Sequence, residues 1–197
     1  MSRRRLVAIL VIGTVAVGLG WALMSVVSRV LRDTQPVATE ATPAAAPSSP
    51  APAIPRIKAT LFFGSNDGRG LMPVEQEIPL AEGKVAQARA LVEAQLAAAA
   101  PDPLVRTIPD GTTLRGLYVS ERNEAFVDLD PAVRDKHPGG SMNELLTVYT
   151  IVNAVTTNVA EITGVQILID GREVDTLVGH VDLRRPLRKN EALVIAR

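Results

Sequence analysis

Between Gly139 and Pro186 the sequence leaves the chain little freedom. The stretch begins Gly139-Gly140-Ser141-Met142-Asn143-Glu144 and runs through a long apolar helix pattern to about Val159. It continues as Gly164-Val165-Gln166-Ile167-Leu168-Ile169-Asp170-Gly171 and closes on Gly179-His180-Val181-Asp182-Leu183-Arg184-Arg185-Pro186. This reads as capped helix, strand, tight turn, strand, and local signals that agree in this way mark a folded unit. Ser141-x-x-Glu144 has capping-box spacing: the hydroxyl would accept from a backbone N–H three residues on, and the carboxylate would reach back. Leu145, Leu146, Val148, Tyr149, Ile151, Val152, Val155 and Val159 make the helix apolar around most of its circumference, so it should lie buried against a sheet. Asn153 inside it needs hydrogen-bond partners and is read as a tie from helix to loop. Val165 to Ile169 suits a central strand, Asp170-Gly171 a hairpin turn, and Arg172 to Val178 the returning strand. His180 and Asp182, one strand step apart, are read as an edge-strand pair. Glu191 to Ile195 would be a last short strand, with residues 188–190 as its turn.

Upstream, Ile57, Ala59, Leu61 and Phe63 alternate with Lys58, Thr60 and Phe62, which predicts a strand, and Leu71 to Leu80 alternates again. The glycine-containing turn Gly64 to Gly70 between them has no Gly-Lys-Ser/Thr and no helix directly after it, so it is not a phosphate-binding loop. Lys84 to Ala100 is a helix with Val85, Ala88, Val92, Leu96 and Ala99 inward and Gln87, Arg89, Glu93 and Gln95 on other faces, stopped by Pro101. Pro109-Asp110-Gly111 introduces a strand from Thr113 to Ser120, which should pair as an antiparallel hairpin with Ala125 to Leu129. The expected architecture is α+β: a mixed, mostly antiparallel sheet with two main helices packed on one side.

The N-terminus has a different composition. Residues 1–5 form a basic tail with Arg3, Arg4 and Arg5, and Leu6 to Ser28 carries no charge. About 20 such residues span a bilayer as a helix. A cleaved signal peptide would have a shorter apolar region and a better small-x-small site than Ser25-Val26-Val27-Ser28, so an uncleaved transmembrane anchor over 6–28 is the favoured reading. The arginines before it favour a cytoplasmic N-terminus, against the weaker opposing pull of Arg29 and Arg32, and the rest of the chain would then lie outside. Residues 29–55, rich in Pro and Ala, read as a linker that cannot bury enough apolar surface to fold. The globular domain then spans 56–197.

With 21 basic and 21 acidic residues the chain has no net charge to draw it to nucleic acid. Without cysteine it has no disulfide, thiolate metal site or cysteine nucleophile. Asp128, Asp130 and Asp135 do not have the spacing of an EF-hand loop, and Asp130 is read instead as starting a short helical turn. Ser141 with His137 or His180 as base would need an orienting group and an oxyanion hole, neither of which the sequence displays. No residue is assigned a catalytic, cofactor-binding or metal-binding role.

The set Ile108-Pro109-Asp110-Gly111-Thr112, Ala125-Phe126-Val127-Asp128-Leu129, Gly140-Ser141-x-x-Glu144, Ile151-Val152-Asn153-Ala154-Val155-Thr156, Val165-x-Ile167-Leu168-Ile169-Asp170-Gly171 and Gly179-His180-Val181-Asp182-Leu183-x-x-Pro186, with the alanine-rich helix ending at Pro101, resembles the GerMN domain family over roughly 57–186. The resemblance implies an α+β domain outside the cytoplasmic membrane, in bacterial envelope and sporulation or germination proteins, usually behind a membrane or lipid anchor. It brings no catalytic residues. This chain lacks the lipid-bearing cysteine of some members and carries one copy of the domain. The functions that follow are, in order, a non-enzymatic scaffold binding a protein partner or itself, a peptidoglycan-binding module, and a wall hydrolase using Asp128 or Asp130 with Glu144.

Overall fold

The computed structural model describes residues 55–195. The expected basic tail, anchor and linker up to residue 54 lie outside them. Among the described residues no helix is long and apolar enough to cross a membrane.

The domain opens on a hairpin, β1 (Arg56–Gly64) and β2 (Leu71–Pro79), in unbroken antiparallel register from Arg56 opposite Pro79 to Gly64 opposite Leu71. Helix α1 (Gly83–Ala97) follows, then β3 (Leu114–Val119) and β4 (Glu124–Leu129). A short turn of helix, α2 (Ala132–Asp135), and the long helix α3 (Ser141–Asn158) lead to β5 (Gly164–Ile169) and β6 (Arg172–Glu173), and a 3-10 turn at Glu191–Leu193 comes near the end. The anticipated antiparallel hairpin is β3–β4. Strand β5 lies parallel to β4, and α2 with α3 supplies the crossover that parallel neighbours require. Asp170 and Gly171 turn the chain from β5 into β6 with φ of 54° and 73°, the left-handed values of a tight hairpin turn.

The α+β class and the mixed strand directions are as expected, but the single sheet is not. There are two sheets, β1-β2 and β3-β4-β5-β6. The reason lies on the outer edge of β1, where other groups occupy the positions that a further strand would use. Gly64 exchanges two hydrogen bonds with Val105, each 2.9 Å. Phe62 gives its N–H to Gln95 Oε1 (2.9 Å) and accepts from Gln95 Nε2 (2.8 Å). Thr60 does the same with Asn158, at 2.8 Å in both directions. Two side-chain amides and one backbone segment thus stand in for a strand.

Helices α1 and α3 pack on each other and on both sheets. The main core joins Leu61, Phe63, Leu91, Val127, Val152 and Ile167. A smaller cluster of Phe62, Leu71, Leu146 and Ala154 lies on the other face of β1. Burial on both faces is why Phe62, placed by alternation on the outer side, is only 2% exposed. Helix α1 stops at Ala97, earlier than expected, because Ala98 already has extended backbone (φ −66°, ψ 132°). Val85, expected inward, is exposed, and Gln95, expected on the polar side, is buried. The returning strand expected over Arg172 to Val178 is cut to Arg172–Glu173. Beyond it the chain leaves the sheet for a polar anchor on α3.

Candidate functional site

That anchor is Glu144. Helix α3 begins after Gly140, whose φ is 88°, and no side chain caps it. Ser141 is exposed, and Glu144 faces inward with none of its surface accessible. Its carboxylate meets a loop instead of its own helix end, so the capping box does not form. Oε1 accepts the N–H groups of Leu177 (2.9 Å) and Val178 (3.0 Å). Oε2 accepts the N–H of His180 (2.8 Å) and lies 3.0 Å from its ring Nδ1. Burial alone would push the carboxyl pKa up, but hydrogen bonds from Val178, Val181 and His180 outweigh it and hold the group below its ordinary value. An ionised Glu144 is matched by a donor at Nδ1 of this half-exposed ring.

His137 is engaged separately. Its Nδ1 accepts the N–H of Gly139 (2.9 Å), and Nε2 lies 3.1 Å from Thr147 Oγ1. The Thr147 hydroxyl donates onward to the carbonyl of Thr107. The neutral imidazole satisfies this chain, and desolvation lowers the His137 pKa against the opposing pull of a backbone contact at Asn143 and the charge of Glu144. Both histidines thus flank the start of α3, and each is tied to partners other than Ser141.

The acidic stretch is also taken up in holding backbone. Asp128, 7% exposed, accepts the N–H of Gly171 (2.8 Å) and faces Arg115 (3.4 Å), which also pairs with Asp170 (3.0 Å). Asp130 accepts from the N–H of Ala132 and the N–H of Thr113, both at 3.0 Å, and from the Thr113 hydroxyl. Its reading as the start of a helical turn is thereby met by α2. Asp182 is not the partner of His180, since no strand forms there. It grips Arg184 (2.7 Å), which holds the Asp182 carboxyl well below the usual carboxylate range. Among the described residues no group of three or more His, Asp or Glu could hold a metal ion.

Asn153 ties helix to loop as read: it exchanges hydrogen bonds with Asn190, 3.0 Å and 2.9 Å. The matching roles of Gln95 and Asn158 escape any reading of periodicity. The one signal for them is a long polar amide amid apolar helix positions. Together these amides fix the walls of a cleft of about 430 Å³ on the two-stranded sheet, lined by Phe62, Pro73, Thr157, Lys189, Glu191 and Val194.

The comparisons agree with this architecture. The Germane family model, described as sporulation and spore germination, matches residues 60–175, more than half of the chain. The chain belongs to the Germane family. Among solved structures, the first GerMN domain of the sporulation protein GerM from Bacillus subtilis is similar to it at TM-score 0.52 and 18% identity, covering 67% of this chain and 97% of that one. The tandem GerMN domains of the same protein give TM-score 0.53 and 18% identity over 68% of this chain and 46% of theirs. A candidate lipoprotein from Clostridium perfringens gives TM-score 0.50 and 23% identity over 71% of this chain and 91% of that one. At these identities the likeness is one of fold, so the Germane domain here is GerMN-like in architecture. No curated protein matches the chain.

Proposed function

We propose that this Germane domain is a non-enzymatic interaction module of the bacterial envelope, of the sporulation and germination type, held outside the cytoplasmic membrane by the apolar run at 6–28 and the Pro/Ala linker. The supporting observation is on the sheet β3-β4-β5-β6. Tyr118 is 63% exposed and stands opposite Phe126 across the β3–β4 ladder, on the face away from buried Leu117 and Val127. Its ring folds over Gly116, where an added Cβ would come within 3.0 Å of the phenol oxygen. Exposed tyrosine on a rigid strand supplies contact area at little entropic cost, and aromatics are enriched at protein interfaces. The sporulation and lipoprotein descriptions of its structural neighbours support the envelope setting.

The hydrolase alternative has less support. Asp128, Asp130 and Glu144 each hold backbone N–H groups, and Asp128 also faces Arg115, whereas a glycosidase pair faces a common cleft. A photo-crosslinking residue at position 118 of the full chain in intact cells tests the module reading. A discrete adduct at 118, absent when the probe is moved to exposed Glu93, supports it. No adduct at 118, together with saturable pelleting on purified peptidoglycan sacculi that Tyr118→Ala abolishes, would replace it with wall binding.

A further inference from the structure

The cleft on the two-stranded sheet is on a different sheet from Tyr118 and is built differently. Its apolar surfaces are Pro73 of β2 and Val194 of the C-terminal segment, with buried Phe62 of β1 beneath them. Its walls are pinned from three directions. Asn158 clamps the end of α3 to Thr60, and Asn153 clamps the middle of α3 to Asn190. Ile195 gives its N–H to the carbonyl of Leu71 (2.8 Å), laying the C-terminal segment beside β2. A volume of about 430 Å³ lies within the ~300–1,000 Å³ typical of small-molecule sites.

Two further features give the cleft a chemical preference. Lys189 and Glu191, both lining residues, place an ammonium and a carboxylate 3.0 Å apart. Thr157 on the α3 wall has a buried hydroxyl with no partner, whereas its neighbour Thr156 donates to the Val152 carbonyl (2.7 Å). Adjacent opposite charges beside an apolar surface complement a ligand with adjacent opposite charges and an apolar arm. A single cation or anion would satisfy one of the pair and be repelled by the other.

We infer that this cleft binds a small zwitterion of the α-amino acid type with an apolar side chain. The ligand carboxylate meets Lys189, its ammonium meets Glu191, and its side chain lies on Pro73 and Val194.

The test is equilibrium dialysis of the full chain, reconstituted in lipid nanodiscs to keep detergent out of the cleft. Phenylalanine is the probe, compared with hydrocinnamate, which lacks the ammonium, and phenethylamine, which lacks the carboxylate. Saturable one-to-one binding of phenylalanine is expected, about tenfold or more tighter than either analogue. Lys189→Ala and Glu191→Ala should each weaken it by about the same factor, because both side chains are on the surface and the fold does not depend on them. Val194→Trp should abolish it by filling the cleft. Circular dichroism of each variant checks folding. The proposal is overturned if phenylalanine shows no saturable binding, if hydrocinnamate binds equally well, or if neither charge variant changes the affinity.

Discussion

The carboxylate of Glu144 receives both the main-chain N–H and the ring of His180, so one fully buried acid on α3 holds a loop more than thirty residues downstream. Without it, the donors of Leu177, Val178 and His180 would converge on an empty space.

Replacing Glu144 therefore separates two accounts of the residue. In a capping box Gln serves nearly as well as Glu. In this structure Glu144→Gln sets an amide NH2 against backbone donors and removes the charge that strengthens each bond. It should cost about 2 kcal/mol, and Glu144→Ala about 3–5 kcal/mol. Urea unfolding followed by circular dichroism measures both. A loss under about 0.5 kcal/mol for Gln would return the residue to a capping role.

Acid should weaken the fold through two groups acting in the same direction. The Glu144 pKa is lower folded than unfolded, so its contribution is whole above the unfolded carboxyl value, near ~4.3, and is lost as pH falls through the folded one. The His137 pKa is also lowered on folding, so the unfolded chain binds its proton first and stability declines as pH falls below ~6.5. Urea midpoints should drop from pH 7.5 to 5.5, and His137→Gln should flatten that drop while leaving the fall below pH 4.5. An unchanged slope in the variant would mean His137 is not responsible.

The amide of Asn158 is expected to matter as much as a core side chain. Asn158→Ala leaves the N–H and C=O of Thr60 without partners on the sealed edge of β1, at a cost of about 2–3 kcal/mol. Hydrogen exchange should show Thr60 losing protection while Val127 in the other sheet keeps it. Equal loss at both would point to general unfolding instead.

Gly70 is needed for space. A Cβ there would lie 2.6 Å from the carbonyl of Leu193 and 2.8 Å from the Ile195 side chain. Gly70→Ala should lift the C-terminal segment from β2 at a cost of about 1–3 kcal/mol. Limited proteolysis should then cut near Arg188 and Lys189 faster than in the parent chain. An unaltered cleavage pattern would show that the segment accommodates the methyl.

Much of the local structure was legible because it depends on neighbours in sequence. The strands of both long hairpins, the helix from Ser141, the Asp170-Gly171 turn and the inward row Leu146, Val148, Ile151, Val152 and Val155 all follow from period, β-branching and turn chemistry. Asn153 as a tie follows from the rule that a buried amide must be satisfied. The partners of Glu144, Gln95 and Asn158 did not follow. Each is a polar residue whose bonds cross a long stretch of sequence, and Ser141-x-x-Glu144 has a complete local explanation that the tertiary structure discards.

What the sequence determined by itself is the long strands and helices, their order and their α+β class, since these are decided by short-range sterics and hydrophobic period, whereas the last expected strand, over Glu191 to Ile195, is a 3-10 turn. What only the tertiary structure decided is how the elements divide into two sheets, which edge of β1 is sealed, and where the buried carboxylate finds its donors. Those choices rest on backbone groups left over once each element has formed, and their partners are set by which surfaces meet in space.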